Sequence, residues 1–364
     1  MSEYKIGQSI DDVREASGDI NIYKMSSNEN PFGPSPKAIG AITEQLSQLH
    51  FYPQRDDSKI TQALADHFGR GLSAANFTTG NGAVDLINLL EAAMFVEGEA
   101  NNIIICPPCF GSYAATAKLK GATVIEHPLD PETFAIDSAG LASSVTENTR
   151  LVYICNPNNP TGSYFDQRAL QQILDSLPEH VTLVYDEVYY HFATQFSLPD
   201  AIQSVLDKRN IVILHSFSKA YGLAGLRTGY AIASAAIIAQ LQKHKLTFQN
   251  DSVSMAAMPA ALADKQFLTQ VIDNNTQQRS WIISKFDDLG IQYWPSQANF
   301  ICFKAPNGSS AKQLVERLLS YGVMVRAAFY LPNHVRVSVG QADANRQFIL
   351  AMGEIINNTS GDNT

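Results

Sequence analysis

A lysine that follows an apolar strand is the residue whose surroundings point most directly to chemistry. The run from Ile211 to Leu214 is continuous and apolar, which is typical of a strand buried on both faces, and Lys219 follows shortly after it. A buried ammonium group is costly unless it is paired or used chemically. An amine shielded from water has a lowered pKa and attacks carbonyl groups, which is how a lysine holds pyridoxal phosphate as a Schiff base. Lys219 is therefore a candidate nucleophile.

The residues on both sides of Lys219 suit a phosphorylated cofactor. Ser216 and Ser218 offer hydroxyl groups, and Arg227 offers a guanidinium fork for a phosphate. The glycines between Lys219 and Arg227 let the backbone bend closely around a ligand. The segment favours pyridoxal phosphate as cofactor, and a solvated lysine in a glycine-rich surface loop is the alternative.

Composition restricts the class of protein and of partner. The chain has 364 residues, 45% of them hydrophobic, which is enough for one large domain and a smaller one. Its net charge of −9 argues against binding to a nucleic-acid backbone and favours small-molecule partners. The start of the sequence lacks an apolar signal region, and no later run is long enough to cross a bilayer. We therefore expect a cytoplasmic protein with no nucleic-acid and no membrane partner.

The four cysteines are few and scattered, which predicts reduced thiols rather than a disulfide framework. Cys106 and Cys109 have the spacing of a redox or metal-binding pair. No second cysteine pair or matching group of histidines completes a zinc site, so the sequence predicts no metal site.

Strand-like and helix-like segments alternate through the middle of the chain. The strand-like runs are Asn102 to Cys106, Thr123 to Glu126, Leu151 to Cys155, Val181 to Tyr185 and Ile211 to Leu214. This alternation predicts an α/β protein with a doubly wound, mainly parallel sheet, in which chemistry lies at the carboxyl ends of the strands. Polar and aromatic residues follow several of these strands, namely Phe110, Asn159, Asp186, Tyr189 and Lys219. We expect one crevice to collect them.

The rest of the chain divides into an arm and a smaller domain. Residues 1–35 are predicted to form an N-terminal arm that joins the small domain, because the stretch from Ser26 to Pro36 is rich in residues that break helices and strands. Residues 36–265 are predicted to form the large domain. Residues 266–364 begin with a long amphipathic helix and continue with helices and with short strands predicted at Ile291 to Trp294, Phe300 to Phe303, Val323 to Arg326 and Val335 to Val339, which predicts a compact α+β domain.

A glycine-rich turn opens one of the helices of the large domain. Gly80 and Gly82 precede the apolar helix predicted from Ala83 to Phe95. A helix start of this kind presents backbone N–H groups and the positive end of the helix dipole, which suits a phosphate. The same glycines could equally serve a tight turn.

These residues together resemble the fold-type I pyridoxal-phosphate aminotransferases and, within them, the histidinol-phosphate aminotransferases. The resemblance extends from Tyr4 to the last helix. The matching motifs are Ser-Asn-Glu-Asn-Pro at Ser27 to Pro31, Asn-Pro-Thr-Gly at Asn159 to Gly162, Asp186 with Tyr189, and Ser-x-Ser-Lys with Arg227. It implies an α/β fold-type I aminotransferase, with a large doubly wound, mainly parallel sheet domain and a small α+β domain.

The resemblance implies a role for each residue around the cofactor ring. Lys219 would form the Schiff base and later move a proton at the substrate carbon. Asp186 would pair with the pyridine nitrogen and keep the ring protonated, which makes it a better electron sink. Tyr189 and Asn159 would hydrogen-bond the ring hydroxyl. Phe110 would stack on the ring, at a position where many relatives have tyrosine.

The phosphate would lie in a cup that includes the start of the glycine-led helix. The cup residues implied by the resemblance are the backbone N–H groups of Ala83 and Val84 together with Ser216, Ser218 and Arg227. Tyr52 matches a tyrosine that reaches the phosphate held by the neighbouring subunit. The resemblance therefore implies a homodimer with shared active sites.

The resemblance implies fewer residues for the substrate than for the cofactor. Arg336 fits the arginine that grips the substrate α-carboxylate, and strand alternation places it opposite the neighbouring valines. Histidinol phosphate would need a second anion site, and the family's candidates for it map to Tyr4 and Arg326, with Asn30 nearby in the arm. The segment from Arg326 to His334 departs from the pattern, because it lacks a glycine and is slightly shortened.

The implied reaction moves an amino group from L-histidinol phosphate, or a similar amino donor, to 2-oxoglutarate. Phe329 and Tyr330 leave open an aromatic amino acid aminotransferase, and threonine-phosphate decarboxylase is a further relative with a similar cofactor site. A sensor module of a transcription regulator and an inactive structural homologue belong to other classes. The first would carry a separate DNA-binding domain, and the second would lack residues of the cofactor site that are all present in this sequence.

Overall fold

Three β-sheets organise the computed structural model, which describes residues 21–361. Within these residues the strands are β1 (Tyr23–Lys24), β2 (Phe77–Gly80), β3 (Asn102–Ile105), β4 (Thr123–Glu126), β5 (Thr149–Cys155), β6 (Thr182–Asp186), β7 (Ile211–Ser216), β8 (Gly229–Ala233), β9 (Phe300–Lys304), β10 (Val323–Met324), β11 (Arg326–Ala327) and β12 (His334–Ser338). The helices are α1 (Pro36–Gln45), α2 (Ser58–Phe68), α3 (Ala83–Met94), α4 (Ser112–Leu119), α5 (Gln167–Ser176), α6 (Ala201–Leu206), α7 (Ala235–His244), α8 (Ser252–Leu262), α9 (Lys265–Asp288), α10 (Ala311–Ser320) and α11 (Ala342–Gly361).

The largest sheet has seven strands in the order β2-β8-β7-β6-β5-β3-β4. β8 runs antiparallel to both of its neighbours, and the other pairs are parallel. The expectation of an α/β fold with a doubly wound, mainly parallel sheet is therefore confirmed. The carboxyl ends of β5, β6 and β7 consequently lie side by side at one edge of the sheet.

Apolar side chains on both faces explain why these strands are continuous apolar runs. Ile211 and Ile213 of β7 belong to the hydrophobic cluster on one face, whereas Val212 and Leu214 belong to the cluster on the other face. β5 and β6 alternate in the same way. Residues at the ends of these strands therefore point to opposite sides of the sheet according to their parity.

Two strands of this sheet were not predicted from the sequence. β2 has the sequence Phe-Thr-Thr-Gly and β8 has Gly-Tyr-Ala-Ile-Ala, and both are short and contain glycine. β2 pairs with β8 and β8 pairs with β7, so backbone hydrogen bonds hold both strands in the sheet although their side chains do not predict them.

The second sheet is antiparallel, with the order β11-β12-β9. Its valines Val335 and Val337 enter a separate hydrophobic cluster with α9, α10 and α11. The strand predicted at Ile291 to Trp294 is wrong, because only Tyr293 forms a bridge there. The run predicted from Val323 to Arg326 divides between two sheets.

The third sheet joins the segment before α1 to the cluster around the second sheet. β1 pairs in parallel with β10, and Met25 packs in the same hydrophobic cluster as Val335. The division of the chain into an arm, residues 36–265 and residues 266–364 stays a prediction. Among the described residues no helix combines the length and the apolar character needed to cross a membrane.

Candidate active site

A cavity of about 370 Å³ lies at the carboxyl ends of the central parallel strands. Among its lining are the last residues of β5, β6 and β7, which are Cys155, Asp186 and Ser216. The predicted site residues that line the cavity are Ala83, Val84, Phe110, Asn159, Asp186, Tyr189, Ser216, Ser218, Lys219, Arg227, Arg326 and Arg336. The structure therefore brings into one space residues that are spread over more than half of the sequence.

Lys219 presents a part-buried amine to this cavity. Its Nζ donates a hydrogen bond to the backbone oxygen of Ser27 at 3.1 Å and lies 5.8 Å from the centre of the Tyr189 ring. Burial, with a smaller contribution from the positive charge of Arg336, lowers the pKa of Lys219 to about 8. The amine is therefore available as a nucleophile or a base near neutral pH.

Asp186 is a buried carboxylate at the base of the cavity. One oxygen accepts a hydrogen bond from the Tyr113 hydroxyl at 2.6 Å, and the other accepts one from the backbone N–H of Val188 at 3.2 Å. Burial raises the pKa of Asp186 to about 6, against the effect of these hydrogen bonds. A positive group bound beside it would favour the charged form, so Asp186 suits a protonated ring nitrogen.

The Tyr189 hydroxyl is held by two amides. It accepts hydrogen bonds from Asn28 Nδ2 at 3.1 Å and from Asn159 Nδ2 at 3.2 Å. Burial raises the pKa of Tyr189, so the phenol stays protonated and can donate to a ligand oxygen. Asn159 and Tyr189 therefore present a hydroxyl donor and an amide together.

The start of α3 forms the wall of the cavity next to Arg227. Gly82 precedes the helix with φ +82°, and a Cβ atom there would come within 2.5 Å of the Arg227 guanidinium. Only glycine therefore allows the guanidinium to approach the helix start so closely. Since the first backbone N–H groups of a helix have no partner inside it, this wall suits an anion. Ser216 and Ser218 lie on the other side of the same space.

Arg336 is buried at the opposite end of the cavity. Its two terminal nitrogens donate to Asn159 Oδ1 at 2.5 Å and to the backbone oxygen of Ser26 at 2.6 Å. Its neighbours Val335 and Val337 are in the core, so the predicted alternation of this strand is confirmed. A guanidinium fixed in this way is a fork for a carboxylate.

Arg326 faces Arg336 across the antiparallel pair of β11 and β12. Directly opposed residues of such a pair project on the same side of the sheet. The Phe329 ring lies beside both guanidinium groups, at 4.6 Å from that of Arg326 and 5.8 Å from that of Arg336. Arg326 therefore lines the cavity, even though this segment departs from the family pattern.

Tyr330, in the segment that departs from the family pattern, has φ +63°. This left-handed conformation is uncommon for a large aromatic residue. Phe329 lines the cavity, as the aromatic alternative requires, whereas Tyr330 packs against the hydrophobic cluster that includes Phe110. One of the two aromatic residues is thus available to a substrate from this chain.

Two predicted site residues lie outside the cavity lining, and a third is not among the described residues. Tyr52 is 85% exposed and stacks near Phe248 with ring centres 5.2 Å apart. Asn30 donates from its side chain to the backbone oxygen of Ala220 at 2.9 Å, and so holds the loop after Lys219 rather than lining the cavity. Tyr4 lies outside the described residues.

Several residues that line the cavity, and one that supports Asp186, were not predicted from the sequence. Those that line the cavity are Ser27, Asn28, Glu29, Cys155, Val188 and Ala224. Tyr113, inside α4, supports Asp186. Ser27 acts through its backbone oxygen, which has no signature in the sequence. Glu29 and Asn28 belong to the Ser-Asn-Glu-Asn-Pro motif, so the motif itself was the available signal.

The closely spaced cysteines have no role in the cavity. Cys106 and Cys109 are free thiols buried in different hydrophobic clusters. Burial raises the pKa of Cys106 to about 12 and also raises that of Cys109. Neither thiol has the lowered pKa that a reactive cysteine needs.

Comparison with known proteins gives consistent results along almost the whole chain. The family model described as aminotransferase class I and II matches residues 20–351. A curated relative named histidinol-phosphate aminotransferase, from Geobacillus sp. (strain WCH70), is 34% identical over 358 residues, which cover 98% of this chain and 96% of the relative. A second, named histidinol-phosphate aminotransferase 2, from Pasteurella multocida, is 35% identical over 362 residues, with 98% and 96% covered.

A solved structure gives the same result for the fold. The histidinol-phosphate aminotransferase from Sinorhizobium meliloti, in complex with pyridoxal-5'-phosphate, superposes with a TM-score of 0.87 at 28% identity. The match covers 97% of this chain and 96% of that chain. The expected fold-type I architecture is therefore confirmed.

Proposed function

Because the chain belongs to the class I and II aminotransferase family, we propose that it binds pyridoxal 5'-phosphate through Lys219 and transfers an amino group from L-histidinol phosphate to 2-oxoglutarate. The observation that carries the proposal is a single cavity with a nucleophilic lysine and a buried carboxylate at one end and two arginines at the other. The names of the curated relatives support this amino donor.

The cofactor end of the cavity fits each part of pyridoxal phosphate. The start of α3 and Arg227 meet where glycine alone leaves room, which suits the phosphate group. Asp186 suits the ring nitrogen, because its two oxygens are oriented by Tyr113 and Val188 and its burial favours a cationic partner. Phe110 is placed at the cavity wall for contact with the ring face.

The bound cofactor supplies an electron sink for the carbanion that forms when the substrate α-carbon loses a proton. Lys219 would act as the base at that carbon and would return the proton to the C4′ atom of the cofactor. Its lowered pKa of about 8 suits both directions of transfer near neutral pH. Asp186 holds the ring nitrogen in its protonated form, and Tyr189 donates to the ring hydroxyl.

The two arginines at the other end favour a phosphorylated amino donor. L-Histidinol phosphate carries a phosphate ester where an amino acid carries its α-carboxylate. Arg326 and Arg336 are directly opposed on neighbouring strands, so two positive groups face one phosphate dianion. Phe329 lies beside both guanidinium groups and lines the cavity with them, where it can contact the imidazole ring.

An aromatic amino acid aminotransferase is the second candidate. Phe329 is the observation that favours it, because this side chain lines the cavity and could contact a phenyl ring as well as an imidazole. A phenylalanine or tyrosine donor has one carboxylate, which Arg336 can bind without Arg326. The threonine-phosphate decarboxylase alternative has no contact in the cavity that favours it over transamination.

We also propose a homodimer with shared active sites. The segment from Leu46 to Tyr52 and the loop from Leu246 to Phe248 expose five large apolar side chains, Leu46, Leu49, Phe51, Tyr52 and Leu246, together with the partly exposed Phe248. An exposed apolar group of this size is typical of a protein interface. A second copy placed here would receive Tyr52 beside its own cofactor phosphate.

Borohydride reduction tests the cofactor assignment. Reduction of the protein with bound pyridoxal phosphate should fix the cofactor on the peptide that contains Lys219, as read by mass spectrometry. Lys219→Ala should abolish the label, whereas Lys312→Ala, a change at an exposed lysine, should keep it. A label on another peptide would show that the central assignment is wrong.

Subunit mixing tests the shared site. Lys219→Ala and a severe Tyr52 variant such as Tyr52→Ala should each be inactive or nearly so as homodimers. Hybrids should regain activity, because one of their two sites combines an intact Lys219 with an intact Tyr52 from the other chain. A protein that is monomeric and active at assay concentration would rule out the shared site.

A further inference from the structure

A buried acid and a buried histidine lie directly behind the active-site cavity. Glu187 follows Asp186 at the end of β6, and His215 precedes Ser216 at the end of β7. Asp186 and Ser216 line the active-site cavity, whereas Glu187 and His215 line a different cavity of about 660 Å³. The alternation of side chains along each strand therefore puts this pair on the opposite face of the sheet.

The pair is tied together across the two strands. His215 Nε2 and Glu187 Oε1 are 2.7 Å apart, and His215 Nδ1 is 2.8 Å from the Tyr230 hydroxyl on β8. The backbone N–H of Glu187 donates to Leu214 of β7 at 3.1 Å. The side-chain contact therefore continues the backbone ladder that fixes the end of β6, where Asp186 lies.

The surroundings of the pair are mainly aromatic. The Tyr190 ring lies 4.4 Å from that of His215, and the Phe68 ring lies edge-on at 5.7 Å. The titratable groups that face the pair from the packed elements are His67, Tyr185, Tyr190, His191, Asp200 and Tyr230. Asp200 is itself paired with Arg70 at 2.6 Å, which neutralises its charge.

Burial disfavours an isolated charge on either member. It raises the pKa of Glu187 and lowers that of His215 to about 3. The two side chains share one proton and carry no net charge as a pair. A negative charge on Glu187 would raise the pKa of the neighbouring Asp186, because like charges repel.

We propose that His215 is a positioning residue for the cofactor site, which acts through Glu187 to keep Asp186 fixed and negatively charged opposite the ring nitrogen. Without the histidine, Glu187 faces an open cavity and ionises in contact with water. Its negative charge then repels that of Asp186, because the two carboxylates lie in the same region of low dielectric constant. The inference rests on the proposed function, since it takes Asp186 as the partner of the cofactor ring.

The experiment compares the affinity for pyridoxal phosphate of His215→Leu, of the double variant Glu187→Gln/His215→Leu, and of the unmodified protein. At a pH slightly below 6, His215→Leu should raise the Kd for pyridoxal phosphate by up to about tenfold, which corresponds to a rise of about one unit in the pKa of Asp186 from its value of about 6. The double variant should return to within about threefold of the unmodified protein, because an amide cannot ionise. Absorbance of the bound cofactor gives both the Kd and its pH dependence.

Two further readouts separate electrostatics from packing. The weakening in His215→Leu should shrink as pH rises above about 7, because Asp186 is then ionised in both proteins despite the charge on Glu187. His215→Gln, which keeps an N–H donor, should bind the cofactor nearly as well as the unmodified protein. The control is His127→Leu, which removes a histidine bonded to Ser144 behind the edge strand β4 and should change neither the Kd nor its pH dependence.

The results distinguish this inference from the proposed function. Failure of the unmodified protein to bind pyridoxal phosphate would remove the proposed function itself. If the unmodified protein binds and transaminates but the double variant is as weak as His215→Leu, then packing rather than Glu187 explains the loss and the inference is wrong. An unchanged Kd in His215→Leu would overturn it equally.

Discussion

At the end of the cavity nearest Asp186, the functional side chains stand on or directly after the strands of the seven-stranded sheet. At the end nearest Arg326, they stand on the three-stranded sheet and on the segment before α1. The first group is fixed by a backbone ladder with strands on both sides. The second is fixed by side-chain contacts between separate elements, such as that of Arg336 with the Ser26 backbone.

This difference separates the chemistry from the choice of substrate. A change at the cofactor end should affect every amino donor, because each reaction uses Lys219 and Asp186. A change at the arginine end should affect affinity, and at Arg326 it should affect one class of donor. The predictions that follow test this separation, beginning with the largest expected effect.

Asp186→Ala should lower kcat for all donors by at least about 100-fold even when it is saturated with pyridoxal phosphate, whose Kd should also rise, because the ring nitrogen loses the carboxylate that keeps it protonated. Steady-state rates with several donors, together with the absorbance of the bound cofactor, measure both properties. Tyr113→Phe is the matched control, since it removes one hydrogen bond to Asp186 and should lower kcat far less. A selective loss for one donor would contradict the separation of the two ends.

Arg336→Ala should raise KM about 10- to 100-fold for amino acid donors and for 2-oxoglutarate together, the range expected when a charge-assisted pair of hydrogen bonds is lost. Part of the loss will reflect Asn159, whose amide oxygen accepts from Arg336. The measurement is kcat and KM for glutamate and for 2-oxoglutarate separately. Equal KM values in the variant and the unmodified protein would exclude Arg336 as the carboxylate ligand.

Arg326→Ala should weaken the binding of L-histidinol phosphate about tenfold or more. It should leave the binding of phenylalanine and tyrosine unchanged, because one carboxylate needs only Arg336. A single-turnover assay with the donor alone avoids any contribution from the 2-oxo acid. Arg209→Ala, which breaks a surface ion pair with Asp175, is the matched control and should leave all donors unaffected. Equally weakened binding of all donors would show that Arg326 does not select among substrates.

The rate of covalent capture of pyridoxal phosphate should rise about tenfold between pH 7 and pH 9, since only the neutral amine reacts and the pKa of Lys219 is lowered to about 8. The two ends of the cavity are linked here by charge. Arg336→Ala should move the midpoint upward and Glu29→Gln should move it downward, each by on the order of half a pH unit. Stopped-flow absorbance measures the midpoint, and a rate that still climbs steeply above pH 9 would mean that the amine is not shielded.

The sequence predicted the cofactor end more completely than the substrate end for a physical reason. Continuous apolar runs identify buried parallel strands, and the residues after such strands must share one edge of the sheet. Asp186 and Lys219 could be assigned in that way. β2 and β8 were missed because each is short and contains glycine, so neither forms a continuous apolar run, although their backbones pair fully.

Contacts between distant segments set the substrate end, and these have weak sequence signals. The backbone oxygens of Ser26 and Ser27 hold Arg336 and Lys219, and any residue type supplies such an oxygen. The pairing of Arg326 with Arg336 depends on the register of two short strands. The sequence suggested Arg326 through resemblance, but only the register shows that its side chain lies beside that of Arg336.

The ratio of kcat/KM for L-histidinol phosphate to kcat/KM for phenylalanine and tyrosine, with 2-oxoglutarate as the acceptor, tests the central claim most directly. We predict that the ratio exceeds about 100, because a phosphate dianion can bind both Arg326 and Arg336, whereas the single carboxylate of an aromatic donor binds only Arg336. No turnover of L-histidinol phosphate, with turnover of phenylalanine or tyrosine, would contradict the account and identify an aromatic amino acid aminotransferase.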